Sequence, residues 1–167
     1  MDEVSWLDDV ESRAWRALLG AHRKLLQRLD AELQATQQLS VSDYGVLVEL
    51  SEAEGGQMRM SDLAERMLLS PSGLTRRLDS MVEAGLVERV RCQNDRRGAY
   101  AVLTPAGRAR LESAAPDHVE QVRRHFVERL SRQQLEALGE ALEAVAGGPL
   151  HGACGHVVET ETATAKS

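Results

Sequence analysis

A serine followed by proline at Ser70-Pro71 and a glycine at Gly85 bracket a stretch that admits few alternatives. The serine oxygen serves as an N-cap. Proline fits the first helical position, where the amide hydrogen has no partner to lose, and glycine favours the left-handed stop. The bracket predicts a helix from Pro71 to about Ala84. Leu74, Leu78, Met81 and Val82 recur at helical spacing, so one stripe of it faces a core. Upstream, Ser61 reads as the cap of a short helix from Asp62 to Met67, with Leu63, Ala64 and Met67 apolar. Downstream, Leu86 to Cys92 and Ala99 to Leu103 read as two strands around Gln93-Asn94-Asp95-Arg96-Arg97-Gly98, a turn by composition. Two capped helices followed by a hairpin make a winged helix-turn-helix.

The polar side of the second helix carries Ser72, Thr75, Arg76 and Asp79, flanked by Ser70, Gly73 and Arg77. Short hydroxyls and arginines on the first turns of a capped helix suit a DNA major groove. Hydroxyls bond phosphates or bases, and a guanidinium grips guanine with two parallel hydrogen bonds. Arg96 and Arg97 at an exposed hairpin tip suit a minor groove or a phosphate.

Asp95-x-Arg97 followed by Leu103-Thr104-x-x-Gly107 resembles the wing and exit of the MarR family of bacterial transcription regulators. Leu69-Ser70-x-Ser72-x-Leu74-Thr75-Arg76, with Gly85-Leu86-Val87, resembles the family's recognition helix. The likeness of layout extends over roughly residues 5 to 146. It implies a homodimer on a palindromic double-stranded operator, acting as a repressor. It also implies that Arg97 enters the minor groove and that Asp95 pairs with a basic group at the recognition helix, such as Arg77. Regulators of this kind commonly answer to small anionic aromatic ligands held between the dimer helices and the reading lobe. Trp15, His22 and Tyr44 are the aromatic groups expected at such a pocket, with Arg16 or Arg23 as carboxylate partners.

Charge supports this at the level of distribution only. The net charge of the 167 residues is −6, which by itself argues against DNA. From Gly56 to Arg110, however, there are ten arginines against six acids, a balance of +4, and the remainder carries −10. The basic excess sits on the expected reading lobe, as phosphate binding requires.

The flanks read as helices. Ser5 to about Ala35 carries one stripe of Leu7, Val10, Ala14, Leu18, Ala21, Leu25 and Leu29 and another of Trp15, Leu19, His22, Leu26 and Leu33. Two apolar faces are more than one side of a small domain buries, so the second is expected to meet another subunit. Ser42 reads as the cap of a helix from Asp43 to about Ala53, ended by Gly55-Gly56. Gln57 to Met60 reads as a short third strand. Thr104-Pro105 repeats the cap-and-proline start. That helix carries Leu111, Ala115, His118, Val119, Val122, Phe126 and Leu130, with Pro116 expected to kink or split it. Ser131-x-x-Gln134 is a capping box that opens a last helix, stopped by Gly147-Gly148-Pro149.

The expected organisation is therefore mainly α with a small β-wing. Residues 1–146 form one domain, with dimerisation helices at 5–35 and 105–146 and a reading lobe at 42–104. Residues 147–167 form a disordered tail.

No enzyme motif is present, and no cofactor is expected. An acidic start and the lack of a long apolar run predict a cytoplasmic protein without a membrane span. Two alternatives share the fold. One is a metal- or thiol-responsive regulator, using His118 and His125, the His151, Cys154 and His156 group, or Cys92. The resemblance implies a first-helix cysteine in the family's peroxide-sensing branch, and residues 1 to 91 contain none, which weighs against that branch. The spacing of the tail group matches no standard structural site, so no metal is assigned. The other alternative is a winged-helix protein-interaction module that does not bind DNA.

Overall fold

A computed structural model describes residues 5–91 and 98–148. Nine elements run in the order α1 (Asp9–Gln37), α2 (Val41–Glu52), β1 (Gln57–Arg59), α3 (Met60–Arg66), α4 (Pro71–Glu83), β2 (Val87–Arg91), β3 (Ala99–Leu103), α5 (Pro105–His125) and α6 (Arg132–Ala146). The strands form one antiparallel sheet in the order β1-β3-β2, with Ala101 facing Met58 on one side and Arg89 on the other. The fold is mainly α with a small β-wing, the winged helix-turn-helix that the two capped helices and hairpin predict.

One core holds the reading half together. Tyr44, Val46, Leu47 and Leu50 of α2 pack with Leu63 of α3, Leu74 and Leu78 of α4, Val87 and Ala101 of the sheet, and Leu33, Leu111 and Ala114 of α1 and α5. Burying each of these aliphatic side chains contributes about 1.5–3 kcal/mol. The stripe predicted for α4 reaches the core at Leu74, Leu78 and Met81, whereas Val82 is exposed.

Caps decide where helices begin. Ser70, Thr104 and Ser131 each accept a backbone amide as predicted. Two other predicted caps are corrected. α2 starts from Ser40, not Ser42, because Ser40 and Asp43 form a reciprocal capping box that places Ser42 inside the helix. α3 starts at Met60 without a side-chain cap, and the Ser61 hydroxyl bonds the Asp62 carboxylate instead. The first helix begins at Asp9, later than the expected Ser5, and is capped by Asp8, whose carboxylate accepts from the Val10 and Glu11 amides. Pro116 does not split α5. It and Glu112, whose carbonyl loses its helical partner, both lie on the exposed side, so the missing bond falls outside the core. The chain leaves the α-helix at Phe126, short of Leu130, and passes through a 3₁₀ turn, Val127–Arg129.

The flanks differ from the reading half. α1 has 29 residues but buries only Leu29 and Leu33, and α6 buries none. Trp15, Leu18, Leu19 and Leu26 of α1 and Val145 of α6 stand exposed. No helix among the described residues is long and apolar enough to cross a membrane.

His118 of α5 sits where the flank meets the reading half. It is 3% exposed, and its ring lies 4.5 Å from that of Tyr44 on α2, tilted by 40°. Burial holds its pKa below the ordinary histidine value. The neutral form is therefore the folded form, and its stabilisation is full above about pH 6.5. As pH falls from there toward the depressed pKa, the unfolded chain binds a proton that the folded chain does not, and stability is lost. The wild type should lose more melting temperature between pH 7.5 and 5 than His118→Phe. Parallel pH profiles of the two would remove His118 from the pH response.

Candidate nucleic-acid interface

The helix-turn-helix is α3, the turn Met67–Leu69, and α4. Ser70 fixes the start of α4: its hydroxyl accepts from the Gly73 amide at 3.1 Å and lies 3.2 Å from the Ser72 hydroxyl. With Leu74, Leu78 and Met81 held in the core, Ser72, Thr75, Arg76 and Asp79 are left on the exposed side. The exposed Thr75 donates its hydroxyl proton to the Pro71 carbonyl at 2.9 Å, which fixes its rotamer. Arg76 is exposed and has no hydrogen bond or ion pair among the described residues. Gly73 lies close to the cap, where an added Cβ would meet the Ser70 hydroxyl at 3.1 Å.

Arg77 is placed differently. Its guanidinium reaches back to α2, donating to Asp43 Oδ1 at 2.9 Å and Ser40 Oγ at 3.3 Å. The same Asp43 closes the capping box of α2. Arg77 therefore ties the start of α2 to the middle of α4 and fixes how α4 leans on the core. Its expected partner Asp95 lies outside the described residues, as do Arg96 and Arg97 of the wing tip and Cys92.

A second clamp was not foreseen. Arg89 on β2 donates to the Thr75 carbonyl at 2.6 Å and pairs with Asp79 at 2.8 Å. It fastens the root of the wing to the exposed side of α4. The alternation Val87-Glu88-Arg89-Val90 places Arg89 on a strand, but nothing local names a partner ten residues back. Arg66 on α3 likewise reaches the buried Glu49 of α2 at 3.1 Å, and Arg110 donates to the last carbonyl of α1, Gln37, at 2.9 Å. Four of the ten arginines counted into the basic excess thus bond groups within the chain, and a fifth, Arg59, donates to the Tyr100 hydroxyl at 3.2 Å. Arg76, Arg91 and Arg108 are the other described ones, all exposed and left to meet a polyanion.

The three aromatic residues expected to line a ligand pocket do not come together within the chain. Tyr44 is buried under His118, while Trp15 is exposed on α1 and His22 is exposed a further two turns along. A cavity of about 300 Å³ between α1 and α5 is lined by Glu32, Asp117, Glu120, Gln121 and Arg124 among others. Its carboxylates are engaged: Arg124 pairs with Glu32 and Glu120, His125 reaches Glu32 at 2.6 Å, and Gln37 donates to Asp117 at 2.6 Å. That lining repels an anion. Among the described residues, no three His, Cys, Asp or Glu side chains are grouped to hold a metal ion. His151, Cys154 and His156 lie outside the described residues.

Comparison with known proteins places this geometry. A MarR family profile matches residues 37–98, from the end of α1 to the wing. The HTH-type transcriptional repressor YetL of Bacillus subtilis is 30% identical over 84 residues, and the chain spans only 50% of its length. The crystal structure of AbsC, a MarR family transcriptional regulator from Streptomyces coelicolor, superposes with a TM-score of 0.80 at 44% identity, covering 86% of this chain and 97% of that one. Sco3205, a MarR family regulator from the same organism solved in complex with DNA, superposes at 0.82 with 35% identity over 87% of this chain and 91% of that one. Likeness at that identity over nearly the whole relative, with the winged helix-turn-helix already in place, means that the chain belongs to the MarR family of DNA-binding transcription regulators and is not an enzyme.

Proposed function

We propose that this protein is a sequence-specific repressor that binds a palindromic operator as a homodimer and releases it in response to a small ligand. The observation that carries the reading is α4: capped by Ser70, seated by three core residues and clamped by Arg77 and Arg89, it presents Ser72, Thr75 and Arg76 outward. A rigid helix with short hydroxyls and an unengaged guanidinium is what base readout asks for. Ser70, Ser72, Gly73 and Thr75 position the helix on the phosphates and groove floor, and Arg76 reads a base. Arg77 sets the angle of α4 rather than touching DNA. Arg96 and Arg97 probe the minor groove beside it, and Asp95 shapes the wing tip. Support for DNA as the partner comes also from Sco3205, which was solved on DNA, and support for repression from YetL, which is named a repressor.

The flanking helices supply the dimer. Residues 5–35 and 105–146 form its two arms around the reading lobe at 42–104, residues 1–146 form one domain, and 147–167 a tail. A twofold mate would set two copies of α4 about 34 Å apart, or a multiple, one helical turn of DNA. The ligand, a small anionic aromatic molecule, would then meet Trp15 and His22 where two copies of α1 approach. The acidic α1–α5 cavity does not suit it, and Tyr44 is sealed in the core. The protein acts in the cytoplasm of a bacterium.

Fluorescence anisotropy on a duplex selected by the protein from a random pool, and on scrambled DNA, each across a salt series, tests the reading. A preference of about 10³-fold or more with a steep salt slope is expected. Equal weak binding to both would leave a protein-interaction module as the better account. Arg76→Ala should lose about 1–3 kcal/mol and relax preference at one operator position. Arg97→Ala should weaken all sequences alike and flatten the salt slope. Either variant binding as wild type removes that residue from the interface.

A further inference from the structure

Two helices of the helix-turn-helix end in the same way but with different residues. At the end of α4, the Gly85 amide bonds the Val82 carbonyl and the Leu86 amide bonds the Met81 carbonyl, with Gly85 at φ 70°. At the end of α3, the Leu68 amide bonds the Glu65 carbonyl and the Leu69 amide bonds the Ala64 carbonyl, with Leu68 at φ 52°. Both are Schellman stops, whose left-handed position glycine takes without penalty and a side chain does not. The only other described non-glycine residue with positive φ is Gln38, a polar residue. Leu68 is 92% exposed, the most exposed of the large apolar side chains described. Two physical arguments therefore go against leucine at this turn: the backbone favours glycine or asparagine, and the side chain buries nothing within the chain.

The turn stands two residues before the Ser70 cap, at the end of α4 that the proposed reading points into the major groove. An apolar side chain there meets one apolar feature on the groove floor, the thymine 5-methyl group. We propose that Leu68 is a specificity residue that packs on a thymine methyl in each half-site, and that this contact is why the turn carries leucine in a conformation suited to glycine. The inference rests on α4 being the reading helix. It adds a determinant outside that helix, one that reads a base through packing rather than hydrogen bonds.

The test uses the full-length protein and a duplex it selects from a random pool. Leu68→Asn relieves the backbone and removes the apolar contact from both half-sites, so it should melt at or above the wild-type temperature yet bind about 16-fold more weakly. Leu68→Met keeps an apolar side chain and should bind within about twofold of wild type. Replacing thymine by uracil deletes only the methyl. At one position per half-site it should weaken wild type about fourfold for each site, the effect of one buried methyl, and leave Leu68→Asn unchanged. Leu68→Asn binding as tightly as wild type, or every uracil substitution affecting both proteins equally, overturns the proposal. Arg76→Ala separates the two ideas. If it weakens binding while Leu68→Asn does not, Leu68 alone is wrong. If neither weakens binding, α4 is not the reading helix and both fall.

Discussion

Gly107→Ala is expected to remove most of the stability of this protein, about 3–5 kcal/mol in urea denaturation, although alanine ordinarily stabilises a helix relative to glycine. Gly107 stands in the first turn of α5, and a Cβ there would collide with the Leu86 carbonyl oxygen and lie 3.0 Å from its carbon. The carbonyl cannot withdraw cheaply, because it accepts from the Thr104 amide at 3.2 Å and shares the Thr104 hydroxyl proton with the Gly85 carbonyl, at 3.0 and 2.7 Å respectively. That hydroxyl is also the N-cap of α5, accepting from the Gly107 amide at 2.9 Å. On the other side, Leu103 Cδ1 would be 2.8 Å from the new carbon. Relief therefore means moving α5 off the Leu86 carbonyl at the entry to β2, with loss of the cap and of Leu111 and Ala114 from the core. An intrinsic helix preference of about 1 kcal/mol for alanine points the other way. The sign of the result therefore decides the matter: a raised midpoint would mean that helix and strand do not approach this closely.

The same residues show what the sequence makes legible. Leu103-Thr104-x-x-Gly107 is recognisable as a motif, and Thr104-Pro105 as a helix start. The reason for glycine at 107 is not, because it lies in the carbonyl of Leu86, brought there by the hairpin. Local chemistry carried the reading at Ser70 with Gly73 and at Ser131 with Gln134. It failed where two local options competed: Ser40 and Ser42 both suit a cap, and Asp43 decides for Ser40 by closing the box from the other side. It also failed for long charged side chains. Arg77 reads as a flanking groove residue but is captured by Asp43, 34 positions away. Arg89 has no local signal for Asp79 or the Thr75 carbonyl. Tyr44 stands on the inward side of its helix, as a core aromatic does, and is buried against His118 rather than at a pocket. The α4 surface was legible because helical period separates its two sides; the ties that hold that surface still were not.

Leu138→Glu with Leu142→Glu is expected to leave each reading lobe folded while lowering operator affinity by about 10²–10³-fold. α6 buries no residue in its own chain, so charges on its half-buried leucines remove little from the core described above. The lost stabilisation would fall instead on whatever covers α6 and the exposed Trp15, Leu18, Leu19 and Leu26 of α1. If a second copy covers them, each glutamate pair meets its symmetry mate across the twofold, and an apolar interface worth about 1.5–3 kcal/mol per leucine becomes a repulsive one. Sedimentation velocity should then report a monomer, with circular dichroism and the denaturation midpoint near those of the dissociated wild type. The affinity loss follows from valence alone. Two lobes on one dimer make the second half-site an intramolecular partner, whereas a monomer engages each half-site at its own weak affinity. The variant also distinguishes the dimer from a helix that merely docks on its own lobe. Internal docking predicts a lower melting temperature with the oligomeric state unchanged. Loss of dimer and of operator affinity together, with α4 and its Arg77 and Arg89 clamps intact, would locate the assembly function in the flanks and the reading function in the lobe.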